Sequence, residues 1–331
     1  MRLPRQRWLV GGALFAALLA VAGTFTLADR SLPAPLPIQI EASPIPAFDN
    51  RDAAQLRFGD LQFRGGIALT SKNEAFGGIS GLHIDPDGAH FLAVSDRGSW
   101  LRGRIVYEKG VPVGIADAEM APRGAYDAEA LTLLDGKFYV GIERVEQIVR
   151  FDINRDGLAA RGEPVAVPPD FKTLAHNKSL ECLAAAPKGS ALDGSLIAVT
   201  ERSLDSDGNL RSFLIKGDKF ERFSIKRSDD FDISDCTVLP PGDLLLLERR
   251  YSPARGVAMR IRRVPLSAIK PGALVDGKPM IEADMAFQVD NMEGIAVHRN
   301  AEGETVITLV SDDNFSVIQR NLLLQFTLVG E

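Results

Sequence analysis

The sequence predicts an all-β fold: a single β-propeller of about five four-stranded blades, or six if residues 37–70 supply more than one strand. Three observations carry this. Five segments repeat one pattern, with their first members separated by 49, 52, 54 and 58 residues. Each segment is a short apolar strand, a turn and a second apolar strand. No helical period of useful length follows residue 30.

The chain opens with Arg2, Arg5 and Arg7 ahead of an apolar run from Trp8 to Ala22 that weakens toward Ala28. A basic flank before an apolar core is the pattern of a secretory signal, so residues 1–28 read as a cleaved signal peptide, with cleavage after Ala22 or Ala28. The alternative is an uncleaved membrane anchor over residues 8–28, since roughly 20 apolar residues span a bilayer. Residues 29–55, with prolines from Pro33 to Pro46, read as an extended linker, and residues 56–331 as the propeller. The expected location is periplasmic or extracellular, with a tie to the inner membrane only through an uncleaved anchor.

The repeats run from Ser80 to Arg97, Glu129 to Arg144, Glu181 to Arg202, Asp235 to Arg249, and Glu293 to Asp313. Their turns hold Asp85-Pro-Asp-Gly88, Asp135-Gly136, Pro187-Lys-Gly189, Pro240-Pro-Gly242 and Glu302-Gly303, chemistry that reverses an antiparallel chain. The last repeat runs out of chain after Leu322–Leu328. A strand within Leu56–Leu69 is therefore expected to pair there and close the ring, which removes an exposed sheet edge.

Strand starts and strand ends of an antiparallel pair share one rim. The first-strand set is Ser80, Glu129, Glu181, Asp235 and Glu293; the second is Asp96, Glu143, Glu201, Glu248 and Asp312. Nine of these ten positions are carboxylates, and Arg97, Arg144, Arg202 and Arg249 follow four of the second set. Two readings compete. In one, arginine forks pair with the acids and lock the ring. In the other, the surplus acids hold a divalent cation. Glu129, Glu181, Asp235, Glu293, Asp96 and Asp312 are the candidate ligands. Oxygen-only donors favour calcium or magnesium. His176, Asn177 and Asn314 stand near these positions as candidate substrate contacts, and Trp100 is the one aromatic expected near the mouth.

The net charge of −6, with no basic stripe, argues against nucleic acid as a partner. Arg260, Arg262 and Arg263 read as one strand face without functional weight. Cys182 and Cys236 follow the aligned Glu181 and Asp235. Equivalent positions of adjacent blades are too far apart for a disulfide, so two buried thiols are expected.

In combination, Phe76-Gly-Gly-Ile-Ser-Gly-Leu82, Ala93-Val-Ser-Asp-Arg-Gly98, Asp127-Ala-Glu-Ala-Leu131, Asn177-Lys-Ser-Leu-Glu181, Ile233-Ser-Asp235 with Leu247-Glu-Arg249, and Asn291-Met-Glu-Gly-Ile295 with Ser311-Asp-Asp-Asn-Phe315 resemble the phytase-like, "esterase-like activity of phytase" family of exported bacterial β-propellers. The resemblance runs from about Gly59 to Phe326. It departs from the family pattern at Asp127-Ala-Glu, where an Asp-Pro-Glu type motif is expected, and at Ser80. It implies hydrolysis of an ester, including a phosphate ester handled with calcium.

The expected mechanism is metal-assisted hydrolysis of a small anionic substrate by a monomer. Glu201 or Glu143 takes the proton of water, and Arg97, Arg144, Arg202 or Arg249 binds the anion and neutralises developing charge. No Gly-x-Ser-x-Gly elbow occurs, which argues against a serine nucleophile. The rivals are a non-catalytic ligand- or protein-binding propeller of the envelope and a sugar-lactone hydrolase.

Overall fold

Each repeat folds as one antiparallel sheet because its strands are short, apolar and joined by tight turns. The computed structural model describes residues 34–122, 126–240 and 242–330; the signal or anchor expected over 1–28 lies outside them. Five sheets form, and the protein is a five-bladed propeller. Blades I to IV start with Ile79–Ile84, Asp127–Leu134, Leu180–Ala185 and Asp232–Leu239, followed outward by the next strands in chain order, except that Leu274–Val275 leaves blade IV to pair in parallel on the outer edge of blade III. Blade V takes Asn291–Arg299, Thr305–Asp312 and Asn321–Leu328 from the C-terminal end of the chain and Leu61–Thr70 from the N-terminal side. That last pairing closes the ring, with Leu322 opposite Ala68 and Leu324 opposite Gly66.

The segment expected as a linker is part of the propeller from Leu36 onward. Leu36–Pro37 pairs with the outer strand of blade I, and Glu41–Ile45 pairs with Leu61–Thr70 in blade V. Phe48 is fully buried among Phe58, Phe63, Phe287 and Phe326. Proline-rich composition misled here because an edge strand leaves one row of N–H groups unused, and proline fits that row.

Five apolar clusters fill the wedges between adjacent blades. The inner strands of each sheet are therefore largely buried on both faces and read as near-continuous apolar runs. Leu244 and Leu246 pack toward blade III, whereas Leu245 and Leu247 pack toward blade V, as the two-residue period of a strand requires. All four are fully buried, each contributing about 1.5–3 kcal/mol. Trp100, expected at the mouth, is buried in the wedge between blades I and II instead.

One irregularity recurs in all five blades. The ladder between first and second strands skips one residue of the first strand: Ser80, Glu129, Glu181, Ser234 and Glu293. This β-bulge turns the skipped side chain away from the regular alternation. In blade IV the bulged residue is Ser234, so Asp235 is one position past its sequence-predicted partners.

The residue after each bulge meets the next blade two residues after that blade's bulge. An added Cβ on Gly81 would lie 3.0 Å from Leu131 Cβ, and one on Gly294 would lie 3.3 Å from Leu82 Cβ. Cys182 and Cys236 occupy these two offset positions in blades III and IV, with Cα atoms 5.1 Å apart, and form a disulfide. The expectation of two free thiols is corrected: it assumed equivalent positions, and the bulge makes them unequal. Asp235 fills the same contact between blades IV and V. Its carboxylate accepts the Ile295 N–H at 2.8 Å and the Cys236 N–H at 2.7 Å.

Candidate functional site

The bulged residues and the ends of the second strands converge at one rim. A cavity of about 220 Å³ there is lined by Asp96, Asp127, Glu129, Glu143, Glu181, Glu201, Glu293 and Asp312, with Arg144, Lys178 and Arg249 as its cations. Asn177, Asn291 and Asn314 complete it. The lining is almost wholly polar because it is built from strand ends.

Two of the sequence-predicted acids are not in this cavity. Asp235 is buried, held by two backbone N–H groups, and is no candidate ligand. Glu248 is also fully buried and faces the other way. Arg260 Nε and Arg262 Nε donate to its Oε2 at 2.7 and 2.8 Å, and Arg262 Nη2 donates to Oε1 at 2.6 Å. Arg260 and Arg262, given no weight in the sequence, are thus a buried structural pair. The second strand of blade IV shares the one-residue offset. Asp127 pairs with Glu143, Asn291 with Asp312, and Asp232 with Arg249. The residue structurally equivalent to Glu143 and Asp312 is therefore Arg249.

Four arginines were expected at the mouth, and two line it. Arg144 is exposed; it pairs with Asp127 Oδ2 at 2.6 Å, and its Nε donates to Asn177 Oδ1 at 3.2 Å. Arg249 reaches inward: Nη1 donates to Asn291 Oδ1 at 3.0 Å, and its nitrogens lie 3.3 Å from Glu293 Oε1 and 3.4 Å from Glu201 Oε1. Arg97 stacks on Phe315, and Arg202 is tied to Asp232, so neither lines the cavity. His176 is exposed and outside it as well. Asn314 donates its N–H to Asp312 Oδ1 at 2.6 Å.

Asp127 is the residue the sequence reading left without a role. Ligand oxygens of Asp127, Glu129 and Glu143 all lie within 4.8 Å of one another. Its signal was present in Asp127-Ala-Glu129, whose two-residue spacing places both carboxylates on one side of a strand. Three carboxylate oxygens at that separation could hold a metal ion.

The electrostatics agree with an unmet need for positive charge. Burial, with the charges of Glu181 and Glu293, pushes Glu129 well above the usual carboxylate range. Glu181 is pushed up in the same way, by burial and then by Glu293. Burial raises Glu143 to about 7, Asp312 to about 7 and Glu293 to about 8. Asp96 is raised by burial and by Asp127. Burial opposes the Arg249 charge, yet Glu293, Glu181 and Glu201 hold its pKa above the ordinary value. Glu293 Oε2 is buried with no hydrogen-bond partner.

A pH prediction follows from those shifts. Above about pH 4.5 the unfolded chain loses these protons, while the folded protein keeps that of Glu143 to about 7 and that of Glu293 to about 8. The folded state then binds more protons, so stability falls as pH rises through that window, by about 1.4 kcal/mol per unit for each such carboxyl. Melting in chelator should show the decline from pH 5 to 8, and saturating calcium should flatten it. A chelated protein equally stable at both ends would contradict the raised pKa values.

Fold and mouth together define a propeller with an acidic axial cavity. The family model described as "Phytase-like: Esterase-like activity of phytase" matches residues 74–315, and the chain belongs to that family. No curated protein matches the sequence. Among solved structures, the chain is similar to a glutaminyl cyclase from Myxococcus xanthus at 14% identity and TM-score 0.42, covering 77% of this chain and 92% of that one. It is also similar to the PQQ-bound aldose sugar dehydrogenase of Streptomyces coelicolor, at 14% identity and TM-score 0.40, covering 88% and 100%. At those scores neither chemistry transfers to this protein.

Proposed function

We propose that this protein is an exported hydrolase of small anionic esters, phosphate esters included, that works with calcium or magnesium at the axial cavity. The observation that carries the reading is the approach of Asp127, Glu129 and Glu143 oxygens to within 4.8 Å inside a cavity with an excess of carboxylates. These three residues would hold the cation, which supplies a Lewis acid for a phosphoryl or carbonyl oxygen. Asp96, with its raised proton affinity and a place beside Asp127, takes the proton of the attacking water. Arg144 and Lys178, at the outer edge, draw in the anion and oppose its repulsion by the acids. Arg249 holds Glu201 and Glu293 in place through its ion pairs. The Cys182–Cys236 disulfide supports residence in an oxidising compartment.

The test is a hydrolysis screen of phosphoesters, carboxylic esters and lactones with calcium, magnesium and chelator. Turnover of an anionic ester that chelator abolishes is the expected result. Turnover confined to lactones would move the substrate class, and none at all would remove the enzyme reading. A second reading, a binding propeller, draws on Val145, Tyr251, Val317 and Ile318, which stand exposed on segments at the mouth end. It expects no turnover with any of the three substrate classes.

A further inference from the structure

Four blades place a carboxylate at the end of the second strand: Asp96, Glu143, Glu201 and Asp312. Blade IV places Arg249 there. The substitution is one of register as much as of residue type, since Glu248 is turned into the sheet and clamped by Arg260 and Arg262. The guanidinium lies among Glu201, Glu293 and Asn291, whereas the Asp127, Glu129 and Glu143 oxygens cluster on blade II. Glu293 is 5% exposed and keeps Oε2 unpartnered even with Arg249 beside it, so that side retains a free buried acceptor.

We infer that Arg249 is a built-in counter-ion occupying the place of a second divalent cation, and that it restricts the mouth to one metal ion. This rests on the proposed metal reading. A guanidinium is a permanent cation with a fixed fork, so it neutralises Glu201 and Glu293 without exchange with solvent. Arg249 forms its ion pairs with Glu201 and Glu293 and none with the Asp127 corner, where the exposed Arg144 pairs with Asp127, and that leaves the corner to the exchangeable ion. Arg249 is thus a specificity-determining residue for ion number and position.

The experiment counts calcium bound per chain in the full-length protein, by equilibrium dialysis with elemental analysis and by calorimetric titration. Wild type should bind one ion, and Arg249→Gln, which removes the charge while leaving an amide for Asn291, should bind two. Arg249→Lys, a guard against a glutamine variant that fails to fold, keeps the charge and should bind one. One ion in wild type and one in folded Arg249→Gln would overturn the inference and leave the metal reading standing. None in wild type, whatever Arg249→Gln binds, would remove the metal reading and the inference with it. Two ions in Arg249→Lys, or none in any form, would overturn it.

Discussion

Glu248→Gln should lower stability by about 3–5 kcal/mol, the cost of removing one partner from a buried ion cluster. Glu248 is fully buried, and Arg260 and Arg262 are 2% and 1% exposed. Neutralising the shared acid leaves the two guanidiniums with their outer partners, Asp229 and Ser228 for Arg260 and Asp276 for Arg262. Urea unfolding of the variant beside wild type reads the difference directly. A loss below about 1 kcal/mol would mean that solvent reaches the cluster. The converse also holds: replacing Glu248, Arg260 and Arg262 together by apolar residues of similar volume should be near neutral, because it removes the desolvation cost as well. Glu248→Gln should further disturb the mouth, since the clamp holds the register that delivers Arg249.

Asp96→Asn should reduce kcat about 10²- to 10⁴-fold on the ester identified by the screen, the range for a lost general base. Calcium binding should persist, because Asp127, Glu129 and Glu143 are untouched. Glu129→Gln should behave differently, losing bound calcium and turnover together. Retained turnover in Asp96→Asn would move the base to another carboxylate of the cavity. A joint loss of calcium would make Asp96 a ligand.

The propeller was legible in the sequence because its repeat combines strand pattern, turn chemistry and rim acids at one period. Closure by the N-terminal strand was legible from the incomplete last repeat. The bulge was not. It inserts one residue without changing composition, so aligning acids by identity selected Asp235 and Glu248 where the ladder uses Ser234 and Arg249. The correct register had a signal: Ile79-Ser80 and Ile233-Ser234 are the same dipeptide at the same bulge. On the second strand, Glu248-Arg249-Arg250 reads as an acid followed by arginine, and the doubled arginine hid the slip. The disulfide was missed for the same reason, because it joins positions that only the bulge brings into contact. Asp127 was missed because its neighbour Glu129 already filled the repeat position.

The most direct measurement of the central claim is the melting temperature of the protein against free calcium, beside Asp127→Asn and Glu129→Gln. A cation bound only by the folded ring stabilises by mass action, about 2.7 kcal/mol at a hundredfold excess over Kd. Wild type should therefore rise steadily with calcium and fall back in chelator. Both variants should lose most of that response and gain stability in chelator near pH 8, because each removes a charge from a cavity that lacks its counter-ion. A wild-type melting temperature indifferent to calcium, magnesium and chelator would contradict a metal site at Asp127, Glu129 and Glu143, and with it the hydrolase proposed here.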